Sequence, residues 1–180
     1  METQLNQTAE FHRKIGETVS DSPKLLDHDA DLDRDLARSL RQIAESFNHP
    51  DSPKTQLTRR ALMAVEELAE WIEAHNEDDL TAAADAWADR MTVLLGDAVA
   101  TGMPAEPVLD EVHRSNMTKV DANEKTGKGT KGEAYSPPDL NKILQTARRE
   151  NDKTCMDCQS VLGKASYVKT RQTPKATASG

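Results

Sequence analysis

Apolar residues recur along this chain at spacings of three and four, interrupted by clusters of Gly, Pro, Asn and Asp, and that rhythm predicts helices joined by turns. The opening stretch from Gln4 to Ile15 is weakly amphipathic, with Leu5, Phe11 and Ile15 as its apolar points and loose packing expected. Gly16 to Asp33 reads as a loop that ends, near Asp29 or Asp31, in a helix cap. Leu32, Leu36, Leu40, Ile43 and Phe47 mark a helix from Leu32 to Phe47, stopped by Asn48-His-Pro-Asp-Ser-Pro53. Two longer helices follow. In Arg60 to Ala74 the residues Ala61, Val65, Leu68, Ala69 and Ile72 form an apolar arc. In Leu80 to Gly96, which contains no proline, Trp87, Met91, Leu94 and Leu95 are predicted to face the core. Thr101-Gly-Met-Pro104 supplies the stop. Ala105 to Val120 carries Val108, Leu109, Val112 and Met117 for packing, and a short helix starting at Pro138-Asp139 offers Leu140, Ile143 and Leu144 for docking on the body. No segment sustains the period-two alternation of a strand, so the expected fold is all-α, without a large sheet.

The polar positions of the two central helices are less ordinary. At about 100° per residue, Glu66, Glu70 and Glu73 stack at i, i+4 and i+7, with Glu67 on the flank. The next helix repeats the design with Asp85 and Asp89 at i, i+4. If Asn76-Glu-Asp-Asp79 joins the two as a hairpin, their acidic faces meet, and like charges at close range repel. A hard divalent cation with oxygen ligands resolves that conflict. The competing reading is a solvated face, since Asp and Glu number 31 of 180 residues.

Composition narrows the function classes. A chain of 180 residues suffices for one domain and a tail; the boundaries expected are 1–148 for the helical domain and 149–180 for a polar tail that cannot order itself. A net charge of −8 argues against duplex nucleic acid as a partner and leaves room for a small phosphate substrate held through metal. No stretch has the length of a membrane span and the N-terminus lacks the features of a signal peptide, so a cytoplasmic protein is expected. The two cysteines, Cys155 and Cys158, exclude a disulfide framework and are too few for a zinc site within one chain.

Two further stretches suit phosphate. His113, Asn116 and Lys119 fall at i, i+3, i+6 and present an imidazole, an amide and an ammonium, although a solvated helix end would look the same. Asp121 to Asp139 is rich in Gly and Lys, and Lys125, Lys128 and Lys131 beside glycine backbone fit a flexible phosphate clamp. The spacing of a Walker loop is absent.

Taken in order, Phe11-His-x-x-x-Gly16, Glu66-Glu-x-x-Glu70, Asp85-Ala-Trp-Ala-Asp89 with Gly96, Glu111-Val-His-Arg-Ser-Asn-Met-Thr-Lys119, Gly-Thr-Lys-Gly and Tyr-x-Pro-Pro-Asp resemble the MazG-like all-α nucleotide pyrophosphohydrolases. The resemblance is strongest to their phosphoribosyl-ATP pyrophosphohydrolase-like branch, frequent in phages and bacteria, and covers Phe11 to Leu144. It implies a helical bundle completed by dimerisation, as a homodimer or a dimer of dimers, which binds Mg²⁺ and cleaves a nucleotide to its monophosphate and pyrophosphate. Carried over position by position, Glu66 or Glu67, Glu70 and Asp89 match the metal-binding carboxylates. One departure concerns the second motif, written Glu-x-x-Asp in the wider group: three places before Asp89 stands Ala86, and the upstream acid is Asp85. The mechanism expected is attack of water on a phosphoanhydride, with Glu66 or Glu67 taking the proton, Mg²⁺ held by Glu66, Glu67, Glu70, Asp85 and Asp89, and substrate phosphates held by Asn116, Lys119, Lys128 and Lys131. The alternative is an inactive helical binding module of the same fold.

Overall fold

Helices form where the periodicity places them, and their ends are set by side chains that satisfy the orphan N–H groups of the first turn. The computed structural model describes residues 1–48 and 54–149. Contacts divide the chain into a unit Met1–Ser136 and a unit Pro137–Gly180. The first contains α1 (Glu2–Ile15), α2 (Ala30–Phe47), α3 (Gln56–Asn76), α4 (Leu80–Thr101) and α5 (Ala105–Asn116), followed by the two short strands β1 (Val120–Ala122) and β2 (Gly129–Thr130). In the second a helix covers residues 140–149, where a short helix is expected. The expected polar tail with Cys155 and Cys158 lies, from residue 150 on, outside the described residues. Among the described residues no helix is long and apolar enough to cross a membrane.

Asp29 caps α2 by accepting from the N–H groups of Asp31 and Leu32, Thr55 caps α3 through Thr58 N–H, and Asp79 caps α4 through Thr81 and Ala82 N–H. Gly102, at φ 66°, closes α4 in the left-handed conformation that a side chain would resist. The opening segment is a full helix rather than a loose end: Gln7 bonds Asp110 and Glu10 meets His113, which ties α1 to α5.

α3 is the central element, packed on α2 to one side and α4 to the other. The faces that close these contacts are small. Ala37 and Ala44 of α2, Ala69, Ile72 and Ala74 of α3, and Ala83 and Ala86 of α4 are buried. This corrects the expected core: Trp87, Leu94 and Leu95 of α4 stay exposed, as do Leu32, Leu36, Ile43 and Phe47 of α2. Both alanine and large apolar residues satisfy a helical period, and here most of the buried positions are alanines. Arg90 lies over the Trp71 ring at 4.5 Å, and Arg60 crosses to Asp97 and donates to the Val93 carbonyl at 2.8 Å. Gly96 gives that guanidinium its room, because a Cβ there would collide with it.

The Lys/Gly-rich segment begins with a short hairpin. β1 and β2 pair antiparallel, Asn123 O accepts from the N–H of Thr126 and of Gly127, and Gly127 adopts φ 64°. Strands of two and three residues are too short for any alternation to show in the sequence.

Candidate active site

Helix α3 turns four glutamates toward the region where α2 and α4 approach it. Asn48 at the end of α2 donates to Glu66 Oε1 at 3.2 Å. Arg41, two turns earlier, grips Glu73 with Nε and Nη2 at 3.0 and 2.6 Å and reaches Glu70 Oε1 with Nη1 at 3.5 Å. These bonds draw Arg41 further above its usual basicity, the Glu73 hydrogen bond most of all.

Glu67 stands apart from the other three. Its Oε2 is buried without a hydrogen-bond partner. Burial pushes its carboxyl above the usual range, followed by the charges of Glu70, Asp89 and Glu66, while Arg41 opposes them. Asp89 of α4 thus acts across the interface on Glu67 of α3, as the meeting of two acidic faces requires. Asp85 lies one turn before Asp89 and is exposed. Among the described residues no three acidic or histidine side chains converge closely enough to hold an ion as they stand. The donor set nevertheless fits a hard cation: a buried carboxylate oxygen without a partner, in the field of three further carboxylates, gains from a positive charge. Holding one takes side-chain rotation, and among the described residues the restraint on Glu70 is its long bond to Arg41.

The four residues expected to hold phosphate also come together. Asn116, Lys119, Lys128 and Lys131 line one cavity of about 580 Å³ with Phe11, His12, Ile15 and Glu17. α5 ends at Asn116, so Lys119 reaches the cavity from the turn after the helix. Gly129 forms part of the lining, and a Cβ on it would stand 3.0 Å from Phe11 Cζ and 3.1 Å from Lys119 Cδ. Lys119 Nζ lies over the Phe11 ring at 5.6 Å, and Lys131 Nζ over Tyr135 at 4.8 Å. His113 does not join the set, because its Nε2 faces Glu10 of α1 at 3.2 Å. The acidic set rides on α3 and α4, and the phosphate set on the end of α5 and the segment that follows it.

Sequence reasoning missed Arg41, Asn48 and His12. His12 is the one with a local signal, being the second residue of Phe11-His-x-x-x-Gly16. Arg41 and Asn48 are ordinary positions of an amphipathic helix until α3 lies beside them.

Residues 34–116 match the family model described as phosphoribosyl-ATP pyrophosphohydrolase, the branch that the ordered motifs resemble. No curated protein and no solved structure matches the chain. The matched segment holds α3, α4 and α5 entire and most of α2, hence every acidic candidate, and stops at Asn116. The family points to nucleotide pyrophosphohydrolase activity, a hydrolase reaction on a phosphoanhydride bond.

Proposed function

We propose, from the phosphoribosyl-ATP pyrophosphohydrolase match over residues 34–116, that this protein is a Mg²⁺-dependent hydrolase that cleaves a nucleoside triphosphate or a related nucleotide to its monophosphate and pyrophosphate. The observation that carries the reading is Glu67, a carboxylate with an unpartnered buried oxygen in the field of Glu66, Glu70 and Asp89. An inactive helical module gains nothing from such repulsion, whereas a cation-binding site requires it.

Glu66, Glu67, Glu70 and Asp89 would hold Mg²⁺, with Asp85 one turn away as the further candidate ligand. When bound, the ion supplies charge neutralisation at the phosphates and a water of lowered pKa. Glu67, whose proton affinity is raised, or its neighbour Glu66 takes the proton from the attacking water. The new P–O bond forms on the nucleotide side and the phosphoanhydride bond to pyrophosphate breaks. Asn116, Lys119, Lys128 and Lys131 bind phosphate oxygens, the lysines acting as point charges.

We place the site in a homodimer or dimer of dimers. The uncovered apolar face of α4 supports this: Trp87 and Leu94 are 46% and 61% exposed in the single chain.

The test is release of pyrophosphate from a panel of nucleotides, with and without Mg²⁺. Glu70→Gln and Asp89→Asn should each lose activity by orders of magnitude, while their metal-free melting temperatures stay level or rise as repulsion is relieved. Glu77→Gln, at the C-cap of α3, should change neither. Full hydrolysis by both amide variants would leave the binding-module reading standing.

A further inference from the structure

Arg41 and Asn48 are separated by seven residues, two helical turns, and so are the residues they bond, Glu73 and Glu66. α2 and α3 run antiparallel, so the two contacts stand in register and bracket Glu67 and Glu70 between them. The contacts differ in kind. Arg41 occupies both oxygens of Glu73 in a fork, the arrangement in which guanidinium and carboxylate match in shape as well as charge. Its third arm touches Glu70 at 3.5 Å, a bond at the limit of usefulness. Side-chain exposures of 35% for Arg41 and 38% for Glu73 place the fork at the half-shielded helix interface rather than in open solvent.

We propose that Arg41 is a positioning residue of the carboxylate site: by occupying both oxygens of Glu73 it takes that glutamate out of the ligand set, and Glu73 in return limits the guanidinium to one long contact with Glu70, which a cation can displace. This rests on the metal-site reading above. Glu73 stacks on the same side of α3 as Glu66 and Glu70 and offers a cation the same ligand chemistry. An unrestrained Glu73, one turn beyond Glu70, competes for the ion. An unrestrained Arg41 has Glu70 as its next carboxylate and closes on it. The fork prevents both at once, and neither residue needs to touch substrate.

The test compares three full-length proteins of equal net charge: wild type, Arg41→Lys and the double variant Arg41→Gln/Glu73→Gln. Mg²⁺ affinity is measured by calorimetric titration, and metal-free melting temperature reports the fold. Charge alone predicts one affinity for all three. Lysine keeps the charge but has no fork, so its ammonium is shared with Glu70, and Mg²⁺ binding should weaken about tenfold or more, the usual cost of losing a residue that orients a ligand. The double variant has neither competitor nor thief, and its affinity should return to within about threefold of wild type. Wild-type affinity in Arg41→Lys, or an affinity in the double variant as poor as that of Arg41→Lys, overturns the proposal and leaves the metal site intact. A wild-type chain that binds no Mg²⁺ overturns the metal-site reading, and this proposal with it.

Discussion

Glu67 concentrates the physical problem of the site in one side chain. Its folded-state pKa is raised by burial and by Glu70, Asp89 and Glu66, so between the ordinary glutamate value, about 4.3, and the raised one the folded chain binds more protons than the unfolded chain. Stability must therefore fall as pH rises through that window. Metal-free protein should show this fall in melting temperature just above the ordinary carboxylate range, and Glu67→Gln should flatten it. Mg²⁺ affinity should rise with pH over the same interval, since the ligand must lose its proton to bind. Scanning calorimetry of both proteins across pH checks the sign; equal slopes would show that Glu67 is not the group under strain.

Among the elements, α4 and the hairpin carry separable duties. Asp79 starts α4 by accepting two N–H groups, and Asp79→Ala should cost about 1 kcal/mol of stability. It leaves Asp89, ten residues on, in place, so Mg²⁺ should raise the melting temperature of the variant as much as that of wild type. Gly129 is the complementary case. A methyl there meets Phe11 and Lys119 at the wall of the cationic cavity, so Gly129→Ala should raise KM for nucleotide several-fold, by roughly 1 kcal/mol of lost binding, with kcat less affected. Steady-state kinetics separates the two constants, and a fall confined to kcat would place the cavity outside substrate binding.

For the whole molecule, the decisive quantity is the apolar surface that one chain leaves uncovered. No large side chain is fully buried among the described residues, while Trp71, Trp87 and Leu94 line an open groove of about 460 Å³ between α3 and α4. Leu94→Glu puts a charge on that groove without entering the alanine core. It should leave helix content unchanged and shift sedimentation from dimer to monomer at micromolar concentration. A wild-type chain that sediments as a monomer would remove the assembly from the proposal.

Local rules made much of this protein legible in its sequence. The helices from Leu32 to Phe47, Arg60 to Ala74, Leu80 to Gly96 and Ala105 onward follow from apolar spacing, and the cap at Asp29 and the stop at Gly102 from the chemistry of single residues. The acidic stripe of α3 and the paired aspartates of α4 are likewise periodic facts. The tertiary structure alone decided which side of each helix is inside. It turned Ala83 and Ala86 inward and Trp87 and Leu94 outward, a choice that helical period cannot make because both sets obey it. It also decided that Arg41 meets Glu73 across 32 positions, that His113 faces α1 instead of the cationic cavity, and that Glu67, not its equally acidic neighbours, carries the unpartnered buried oxygen. Each of these depends on how close two distant segments come, and no spacing along a single chain records that distance.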